Sequence, residues 1–458
     1  MDSQSLKIPH VHILGICGTF MAGIAQLAKQ MGWQVSGADA EVYPPMSDLL
    51  VESGITLTEG YAPEKLPIDA ELVIGNALSR GNPAVEYILA QRLPYTSGAQ
   101  WLSQNILPGK RVFAISGTHG KTTTTSMLTW IFEYAGLNPG FLIGGVARNF
   151  GISARYTDSE IFVIEADEYD SAFFDKRSKF VHYHPEVLLI NNLEFDHADI
   201  FTDLKDIQKQ FHHMLRTMPA NGRVIYPGNT PAIEELLAMG CWTPKEMFGT
   251  ADSAWQIKAE KADGSEFSVY HQGKKQGSAK WQLLGQHNLH NALAAIICAT
   301  QANVSIETAL AALAEFAPPS RRLELKGEVR GVKVYDDFAH HPTAIQTTIA
   351  GLRAHVGNAR IIAVLEPRSY TMRSGVHQDT LAASLVEADV VFMQQPKNST
   401  WHVDEVIKTL GKTKPAAAYE EVPEIIDAIV NITKPGDHVL LMSNGGCGGI
   451  YGKLLAAL

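Results

Sequence analysis

Residues 117–123 have the sequence Gly117-Thr118-His119-Gly120-Lys121-Thr122-Thr123 and connect two predicted elements. An apolar run from Arg111 to Ile115 predicts a strand before them, and a helix is predicted from Lys121 to about Ala135. Glycines at such a junction let backbone N–H groups approach phosphate oxygens, and the helix N-terminus favours negative charge. The segment therefore predicts a phosphate-binding loop in a parallel α/β domain.

The loop also predicts which side chains contact a nucleotide. Lys121 is placed to reach the β- and γ-phosphates of ATP, and the Thr122 hydroxyl is placed to bind Mg²⁺. The sequence departs from the general pattern at Ile115, which occupies the position of the first glycine. The alternative is a turn that only caps a helix. It leaves unexplained the four consecutive threonines from Thr122, because threonine is a poor helix former.

Carboxylates and a histidine follow two later predicted strands. Glu165-Ala166-Asp167-Glu168 comes after the apolar run Ile161–Ile164, and Asp196-His197 follows the strand Val187–Ile190. Ligands of open α/β sheets bind at the carboxyl ends of the strands, so these groups are expected to converge on the nucleotide. Each one alone is better explained as a solvated loop carboxylate or a hydrogen-bonded histidine. With the phosphate loop, they predict a Mg²⁺ site.

A second glycine loop lies near the N-terminus. Gly15, Gly18 and Gly23 follow the predicted strand His10–Leu14 and begin a helix from about Met21 to Met31, and Asp39 follows a second strand. Cys17 replaces the middle glycine of a full GxGxxG pattern. On these residues alone, a dinucleotide-binding domain is as well supported as one that binds another diphosphate.

The length of 458 residues predicts more than one domain. Strands alternate with helices through most of the chain, which indicates α/β architecture. Proline and glycine interrupt the pattern at Leu107–Lys110 and again at Phe316–Ser320, where we expect linkers. The sequence therefore predicts three domains, spanning residues 1–108, 109–318 and 319–458.

The overall composition excludes several classes of protein. A formal net charge of −10 argues against a nucleic-acid partner, because such binding depends on clustered Lys and Arg. The four cysteines form no CxxC pair and are expected to be reduced and mostly buried. The N-terminus, Met1-Asp2-Ser3-Gln4, has no signal-peptide pattern, and no apolar run approaches the ~20 residues that cross a bilayer. These features predict a cytoplasmic protein without membrane insertion.

Six motifs together resemble the Mur ligase family. In chain order they are residues 117–123, Glu165–Glu168, Asp196-His197, His287-Asn288-Leu289-His290-Asn291, Arg321-Arg322-Leu323-Glu324 and Asp336-Asp337-Phe338-Ala339-His340-His341-Pro342-Thr343. The resemblance covers essentially the whole chain. It implies a Rossmann-like UDP-binding domain, a central ATPase domain with the phosphate loop, and a Rossmann-like C-terminal domain that closes over the site.

The resemblance also implies a role for individual residues. Catalytic roles fall to Lys121, Glu165, His197 and Arg322, and Mg²⁺ is expected at Thr122, Glu165 and His197. ATP, the co-substrate, is expected to contact residues 117–123, Asn288, Asn291 and Asp337. The UDP-sugar is expected at Gly15, Gly18, Thr19, Phe20, Met21 and Asp39. Some relatives carry a carbamylated lysine in the central domain, and this sequence has no clear candidate for one.

Four further segments resemble those family members that attach a tripeptide in peptidoglycan recycling. They are Gly15–Met21, Tyr43-Pro44-Pro45-Met46-Ser47, Glu366-Pro367-Arg368-Ser369-Tyr370-Thr371-Met372-Arg373 and Met442-Ser443-Asn444-Gly445-Gly446, with Cys447 where an aromatic residue is expected. The implied substrates are UDP-N-acetylmuramate and L-alanyl-γ-D-glutamyl-meso-diaminopimelate, which are joined through an acyl phosphate. Arg368 and Arg373 are the expected peptide-binding residues, and no obligate protein partner is implied.

Three alternatives remain at this point. UDP-N-acetylmuramate–L-alanine ligase shares most of the motifs and differs in the amine. Folylpolyglutamate synthase carries its phosphate loop near the N-terminus, without the domain of about one hundred residues that precedes it in this chain. A nucleotide-gated binding protein is disfavoured by Glu165, His197 and Asp337, which such a protein has no need to keep.

Overall fold

The computed structural model describes residues 8–42, 46–395 and 401–458. Two segments discussed above, Met1–Gln4 and the Tyr43–Pro45 part of a family segment, lie outside these residues. The chain divides into two compact units. The first contains Met1–Glu194, Lys205–Thr250 and Ala294–Ala312, and the second contains Phe195–Leu204, Ala251–Leu293 and Leu313–Leu458.

The first unit begins with a parallel sheet whose strand order is β3-β2-β1-β4-β5. Helix α3 packs on one face, where Val85 and Ile88 meet Leu72 and Ile74 of β4. It begins after Asn82, whose side chain accepts hydrogen bonds from the first-turn N–H groups. The elements are β1 His10–Leu14, α1 Thr19–Gln30, β2 Gln34–Asp39, α2 Met46–Glu52, β3 Thr56–Glu59, β4 Glu71–Ile74, α3 Pro83–Ala90, β5 Tyr95–Ser97 and α4 Gly98–Asn105.

A second sheet in the same unit has the strand order β14-β13-β12-β6-β9-β7-β8, and all of these pairs are parallel except β7 with β8. Strands β6, β9 and β12 are almost entirely apolar and buried, as expected for a sheet covered on both faces. The elements are β6 Arg111–Ser116, α5 Lys121–Tyr134, β7 Gly140–Ala147, β8 Ile152–Arg155, β9 Ile161–Ala166, β10 Asp170–Ala172, β11 Asp175–Ser178, β12 Val187–Ile190, α6 Leu204–Leu215, β13 Arg223–Pro227, α7 Pro231–Ala238 and β14 Lys245–Phe248.

The second unit contains three antiparallel strands and a six-stranded sheet. The antiparallel strands are β15 Trp255–Ala259, β16 Glu266–His271 and β17 Lys274–Lys280. The next helix, α8 Gln286–Thr300, begins in the second unit and ends in the first, which also contains most of α9 Ile306–Ala314. The remaining elements are β18 Glu324–Val329, β19 Val332–Asp337, α10 Pro342–Val356, β20 Ile361–Leu365, α11 Tyr370–Arg373, α12 Gln378–Ser384, β21 Val390–Gln394, α13 Asp404–Leu410, β22 Ala416–Tyr419, α14 Val422–Ile432, β23 His438–Met442 and α15 Ile450–Ala457.

The six-stranded sheet has the order β18-β19-β23-β20-β21-β22, and only the β18–β19 pair is antiparallel. Alternate residues of β20 and β23 point to opposite faces. Leu440 and Ile361 join one buried cluster with α10, whereas Leu441 and Ile362 join another with α14 and α15. The sheet is therefore covered by helices on both faces, and its strand ends remain available for loops.

The predicted α/β fold class is confirmed, and so are most element positions. Two differences concern site residues. Strand β9 extends to Ala166, so Glu165 lies within the strand, and β2 ends at Asp39 itself. Both predicted linkers fall between regular elements, but the boundaries after residues 108 and 318 stay predictions. All four cysteines are free, two of them buried and two half-buried.

Within the described residues, no helix combines the length and the apolar character needed to span a bilayer.

Candidate active site

The phosphate loop occupies the turn between β6 and α5, and two of its positions require glycine. Gly117 has a φ of +136°, and a Cβ there would lie 3.1 Å from the backbone N and O of Asn192. Gly120 has a φ of +77° and forms the left-handed N-cap of α5. Side chains other than glycine rarely adopt such angles, so the loop depends on both residues. This is the local geometry that the sequence predicted.

Residues that follow β12 hold the loop in place. The side-chain oxygen of Asn192 accepts from the His119 N–H at 2.8 Å, and its amide nitrogen donates to the His119 carbonyl at 3.0 Å. The Thr118 hydroxyl accepts from the Glu194 N–H at 2.9 Å. Because β6 and β12 are adjacent in the sheet, their carboxyl ends bring these residues together. The loop is thus fixed before any nucleotide contacts it.

Lys121 forms a buried ion-pair cluster. Its Nζ donates to Glu168 Oε2 at 2.8 Å and lies 3.6 Å from Asp167 Oδ1. Burial favours the neutral amine, but the carboxylates of Glu168 and Asp167 outweigh it and raise the pKa of Lys121. The side chain is therefore a permanent cation at the N-terminus of α5, as phosphate binding requires.

Thr122 and Glu165 provide adjacent oxygen atoms. The Thr122 hydroxyl donates to Glu165 Oε1 at 2.9 Å, and Glu165 Oε2 accepts from the Gly144 N–H at 2.8 Å. Burial raises the pKa of Glu165, and the charge of Asp167 adds to that effect. A nearby cation would stabilise the ionised form of this buried carboxylate. A hydroxyl and a carboxylate are hard oxygen ligands, so these two residues fit Mg²⁺.

The predicted UDP-sugar residues lie around the N-terminus of α1. Asp39 Oδ2 accepts from the Cys17 N–H at 2.8 Å, and Oδ1 accepts from the Ala40 N–H at 2.8 Å, which ties the glycine loop to the end of β2. Burial and the nearby Asp39 carboxylate raise the pKa of Cys17 to about 11. The Cys17 thiol is therefore protonated and unreactive at neutral pH. Asp39 therefore stabilises the conformation of the glycine loop through its hydrogen bond with the Cys17 N–H.

In the second unit, Asp196 and His197 lie beside Thr371. The Asp196 carboxylate accepts from the His197 N–H at 2.7 Å, and the Thr371 hydroxyl accepts from the Ala198 N–H at 3.1 Å. Burial opposes ionisation of Asp196, but His197 and its N–H outweigh burial and lower the pKa of Asp196. His197 has a φ of +56°, an uncommon conformation for a histidine. The predicted Asp196-His197 motif is thus a fixed turn.

The two predicted adenine-binding asparagines form a buried pair on the first turns of α8. Asn291 Nδ2 donates to Asn288 Oδ1 at 3.3 Å, and Asn288 Nδ2 donates to the Leu284 carbonyl at 2.8 Å. Neighbouring His287 is fully buried, and burial lowers its pKa to about 4. The histidine is therefore neutral at pH 7.

Asp337 fixes the chain around Arg322. Its carboxylate accepts from the Leu323 and Ala339 N–H groups, each at 2.7 Å. The Arg322 guanidinium carbon lies 5.2 Å from the centre of the Phe338 ring. Burial raises the pKa of Asp337, and the charge of Arg322 is the largest opposing influence. Asp337 therefore stabilises the turn that contains Arg322 through these backbone hydrogen bonds.

Four of the quoted motifs lie at the same edge of the six-stranded sheet, because β19, β23 and β20 are neighbours with aligned carboxyl ends. They are Arg321–Glu324, Asp336–Thr343, Glu366–Arg373 and Met442–Gly446. The Ser443 hydroxyl donates to Glu366, and a Cβ on Gly445 would overlap the side chain of Arg368. Among the described residues, neither Arg368 nor Arg373 pairs with Glu366. Arg368 is exposed, and Arg373 Nε is buried without a hydrogen-bond partner. Both predicted peptide-binding arginines thus keep donors for a ligand.

Sequence reasoning missed several residues that shape the site. The sequence did not indicate the roles of Asn192 and Gly144, and it did not predict that Asp167 and Glu168 pair with Lys121. Most of these residues lie in or just after a predicted strand, which the sequence could show. Which residue each of them contacts depends on the order of the strands in the sheet, which the sequence does not show. Lys179 and Tyr183, which lie near Asp167, gave no sequence signal.

Comparisons with known proteins agree with this geometry. Residues 10–108 match the family model described as "Mur ligase family, catalytic domain", residues 115–299 match "Mur ligase middle domain", and residues 321–445 match "Mur ligase, glutamate ligase domain". The three matches follow one another without overlap and cover most of the chain.

Individual relatives are similar over nearly their whole length. Two relatives are named UDP-N-acetylmuramate--L-alanyl-gamma-D-glutamyl-meso-2,6-diaminoheptandioate ligase. The one from Haemophilus influenzae is 53% identical, and the match covers 98% of this chain and 99% of that protein. The one from Escherichia coli K12 is 55% identical, and the match covers 98% of both chains. A crystal structure of a murein peptide ligase from Psychrobacter arcticus 273-4 has 45% identity, a TM-score of 0.74 and 98% coverage of both chains. Other relatives, 30–34% identical, are named UDP-N-acetylmuramate--L-alanine ligase. The chain therefore belongs to the Mur ligase family of ATP-dependent ligases.

Proposed function

We propose that this protein joins the carboxylate of UDP-N-acetylmuramate to the amino group of L-alanyl-γ-D-glutamyl-meso-diaminopimelate, with ATP as co-substrate, in peptidoglycan recycling. One observation carries the choice of amine. Relatives named for the tripeptide reaction are 53–55% identical over 98% of the chain, whereas those named for L-alanine are 30–34% identical. The L-alanine reaction is the second candidate.

The proposed chemistry explains why the site combines fixed cations with buried carboxylates. A carboxylate does not condense with an amine in water unless its oxygen becomes a better leaving group, and ATP provides this by forming an acyl phosphate. The transferred phosphoryl group spreads negative charge over its oxygens, so catalysis depends on positioning and positive charge. Lys121 would move from Glu168 to the β- and γ-phosphates, since its ammonium is charged and already lies at the loop.

The remaining proposed roles follow from position. Thr122 and Glu165 would hold Mg²⁺ together with His197, and the ion would neutralise phosphate charge when bound. Asn288, Asn291 and Asp337 would contact the nucleoside, and Arg322 would contact the phosphates. Gly15, Gly18 and the first turn of α1 would bind the UDP-sugar, because that helix N-terminus has no acidic residue in its first turn.

We expect Glu165→Ala to raise the Mg²⁺ concentration needed for half-maximal activity by about 10- to 100-fold, because it removes a charged oxygen ligand. The measurement is initial rate against Mg²⁺ at saturating ATP. Glu160→Ala is the matched control, since Glu160 is exposed and immediately precedes the opposite end of the same strand. An unchanged Mg²⁺ dependence would transfer the metal role to Asp167 or Glu168.

The proposed function is tested by phosphate release from ATP. Purified protein with UDP-N-acetylmuramate, ATP, Mg²⁺ and the tripeptide should release one phosphate for each UDP-N-acetylmuramoyl-tripeptide detected by mass spectrometry. Omission of either substrate should reduce release to background. Release with L-alanine but not with the tripeptide would favour the second candidate. Release with neither amine would identify a nucleotide-binding protein without ligase activity.

A further inference from the structure

Lys179 is a buried cation without a counter-ion in contact. It begins the short 3₁₀ turn Lys179–His182 after β11, and only 5% of its surface is exposed. Within the described part of the chain, its Nζ donates no hydrogen bond and forms no ion pair. The ammonium instead lies 4.6 Å from the centre of the Phe20 ring and 5.6 Å from that of Tyr169. A buried ammonium is costly unless it has a partner, so this position requires a reason.

The ring nearest to Lys179 belongs to the second residue of α1. The N-cap of this helix is Gly18, which has no side chain to accept a hydrogen bond from the first turn. The first intrahelical bond runs from the Ala22 N–H to the Gly18 carbonyl, so the N–H groups of residues 19–21 have no intrahelical acceptor. The buried ammonium therefore contacts a side chain of the first turn of an uncapped helix, and both the ammonium and the helix N-terminus favour an anion.

A second buried polar atom belongs to Tyr183, the residue that ends the same 3₁₀ turn. Its hydroxyl is buried and has no hydrogen-bond partner among the residues that the structure describes. Burial raises the pKa of Tyr183 well above its usual value, with Asp167 as the largest charged influence. Burial lowers the pKa of Lys179, and Asp167 and Asp170 oppose that shift. The Asp167 carboxylate, which is also 3.6 Å from Lys121 Nζ, thus influences both groups.

We propose that Lys179, together with the first turn of α1, binds an anionic oxygen of the UDP-linked substrate. The inference rests on the proposed function and extends it to a residue for which the sequence gave no signal. Two groups of that substrate have the right chemistry, the diphosphate and the carboxylate that reacts. Lys179 lies near both the helix that suits a diphosphate and the Asp167–Lys121 cluster beside the phosphate loop. It is a positioning residue, since it would orient the substrate without joining the reaction.

Lys179→Met tests this by removing the charge and keeping most of the stem. We expect the Kd for UDP-N-acetylmuramate, measured by calorimetry on the full chain, to rise about 10- to 100-fold, the usual effect of losing a charged hydrogen bond. The KM for ATP should change less than about twofold. The Tm should stay equal or rise, because an ammonium without an ion pair is removed from the interior.

Lys176→Met is the matched control, since Lys176 lies on β11, shortly before Lys179 in the chain, and is exposed. It should leave the Kd for UDP-N-acetylmuramate unchanged. UDP-N-acetylglucosamine lacks the carboxylate and identifies the group: equal weakening of both ligands assigns Lys179 to the diphosphate, and selective weakening of UDP-N-acetylmuramate assigns it to the carboxylate.

Two results would overturn the inference. One is unchanged Kd for both nucleotide sugars. The other is a variant with a markedly lower Tm, or one that does not fold, because either would assign the ammonium a structural role against Phe20 and Tyr169. If the wild-type protein itself does not bind UDP-N-acetylmuramate, that result contradicts the proposed function as well as the role of Lys179.

Discussion

Lys121→Ala is expected to lower kcat by about a thousandfold or more, because it removes the fixed positive charge at the phosphate loop. Binding of UDP-N-acetylmuramate should remain within about threefold of wild type, since the glycine loop at α1 does not involve Lys121. The measurements are phosphate release at saturating substrates and calorimetry with the nucleotide sugar. Near-normal product formation by this variant would remove Lys121 from the mechanism.

Loss of stability must be separated from loss of catalysis, because Lys121 also neutralises Glu168 and Asp167. Removal of one partner leaves a buried carboxylate unpaired, and this is strongly destabilising. The double variant Lys121→Met with Glu168→Gln removes both charges of the closest pair. It should recover most of the lost Tm and none of the lost turnover. Lys110→Ala is a control at the other end of β6, where Nζ donates to the backbone carbonyls of Thr157 and Ser159.

The fold was predictable where a strand is a largely buried run with a clear end. The observed bounds of β1 and β12 are the predicted ones, because each is followed by a glycine or a polar residue. The phosphate loop was equally clear, since glycine at positive φ between a strand and a helix has a strong sequence pattern. The end of β9 was less clear, because Glu165 is polar and yet buried within the strand.

The partners of site residues were not predictable from spacing. His119 and Asn192 are 73 residues apart and meet because β12 pairs with β6, which the sequence does not state. Lys179 precedes an ordinary apolar stretch and has no motif. Its burial depends on Phe20, which is far away in the sequence and contacts it only in the folded unit. To predict such contacts, one must know the strand order of the sheet and how separate elements pack together.

The amine preference is the second large effect that we expect. In the wild-type protein, kcat/KM for the tripeptide should exceed that for free L-alanine by about a thousandfold or more. L-Alanine has little surface beyond its reacting amine, whereas the tripeptide has three carboxylates and a distal ammonium. Contacts far from the reacting atom can orient the amine, and the binding energy appears in kcat/KM. Comparison of the two amines at saturating ATP and UDP-N-acetylmuramate measures the preference, and a higher value for L-alanine would contradict the proposed substrate.

Arg368 and Arg373 are the side chains that we expect to make those distant contacts. Neither pairs with Glu366, whose carboxylate accepts from Ser443, and the Arg373 Nε is buried without a hydrogen-bond partner among the described residues. A guanidinium with free donors binds a carboxylate in a bidentate manner, and losing that contact costs about 10- to 100-fold in affinity. Arg368→Ala and Arg373→Ala should each lower kcat/KM for the tripeptide by that factor and leave the slow reaction with L-alanine within about twofold. Arg330→Ala is the matched control, because Arg330 is exposed in the turn between β18 and β19. Equal losses with both amines would instead indicate that the arginines support the C-terminal loops, and unchanged kinetics in both variants would assign tripeptide recognition to other residues.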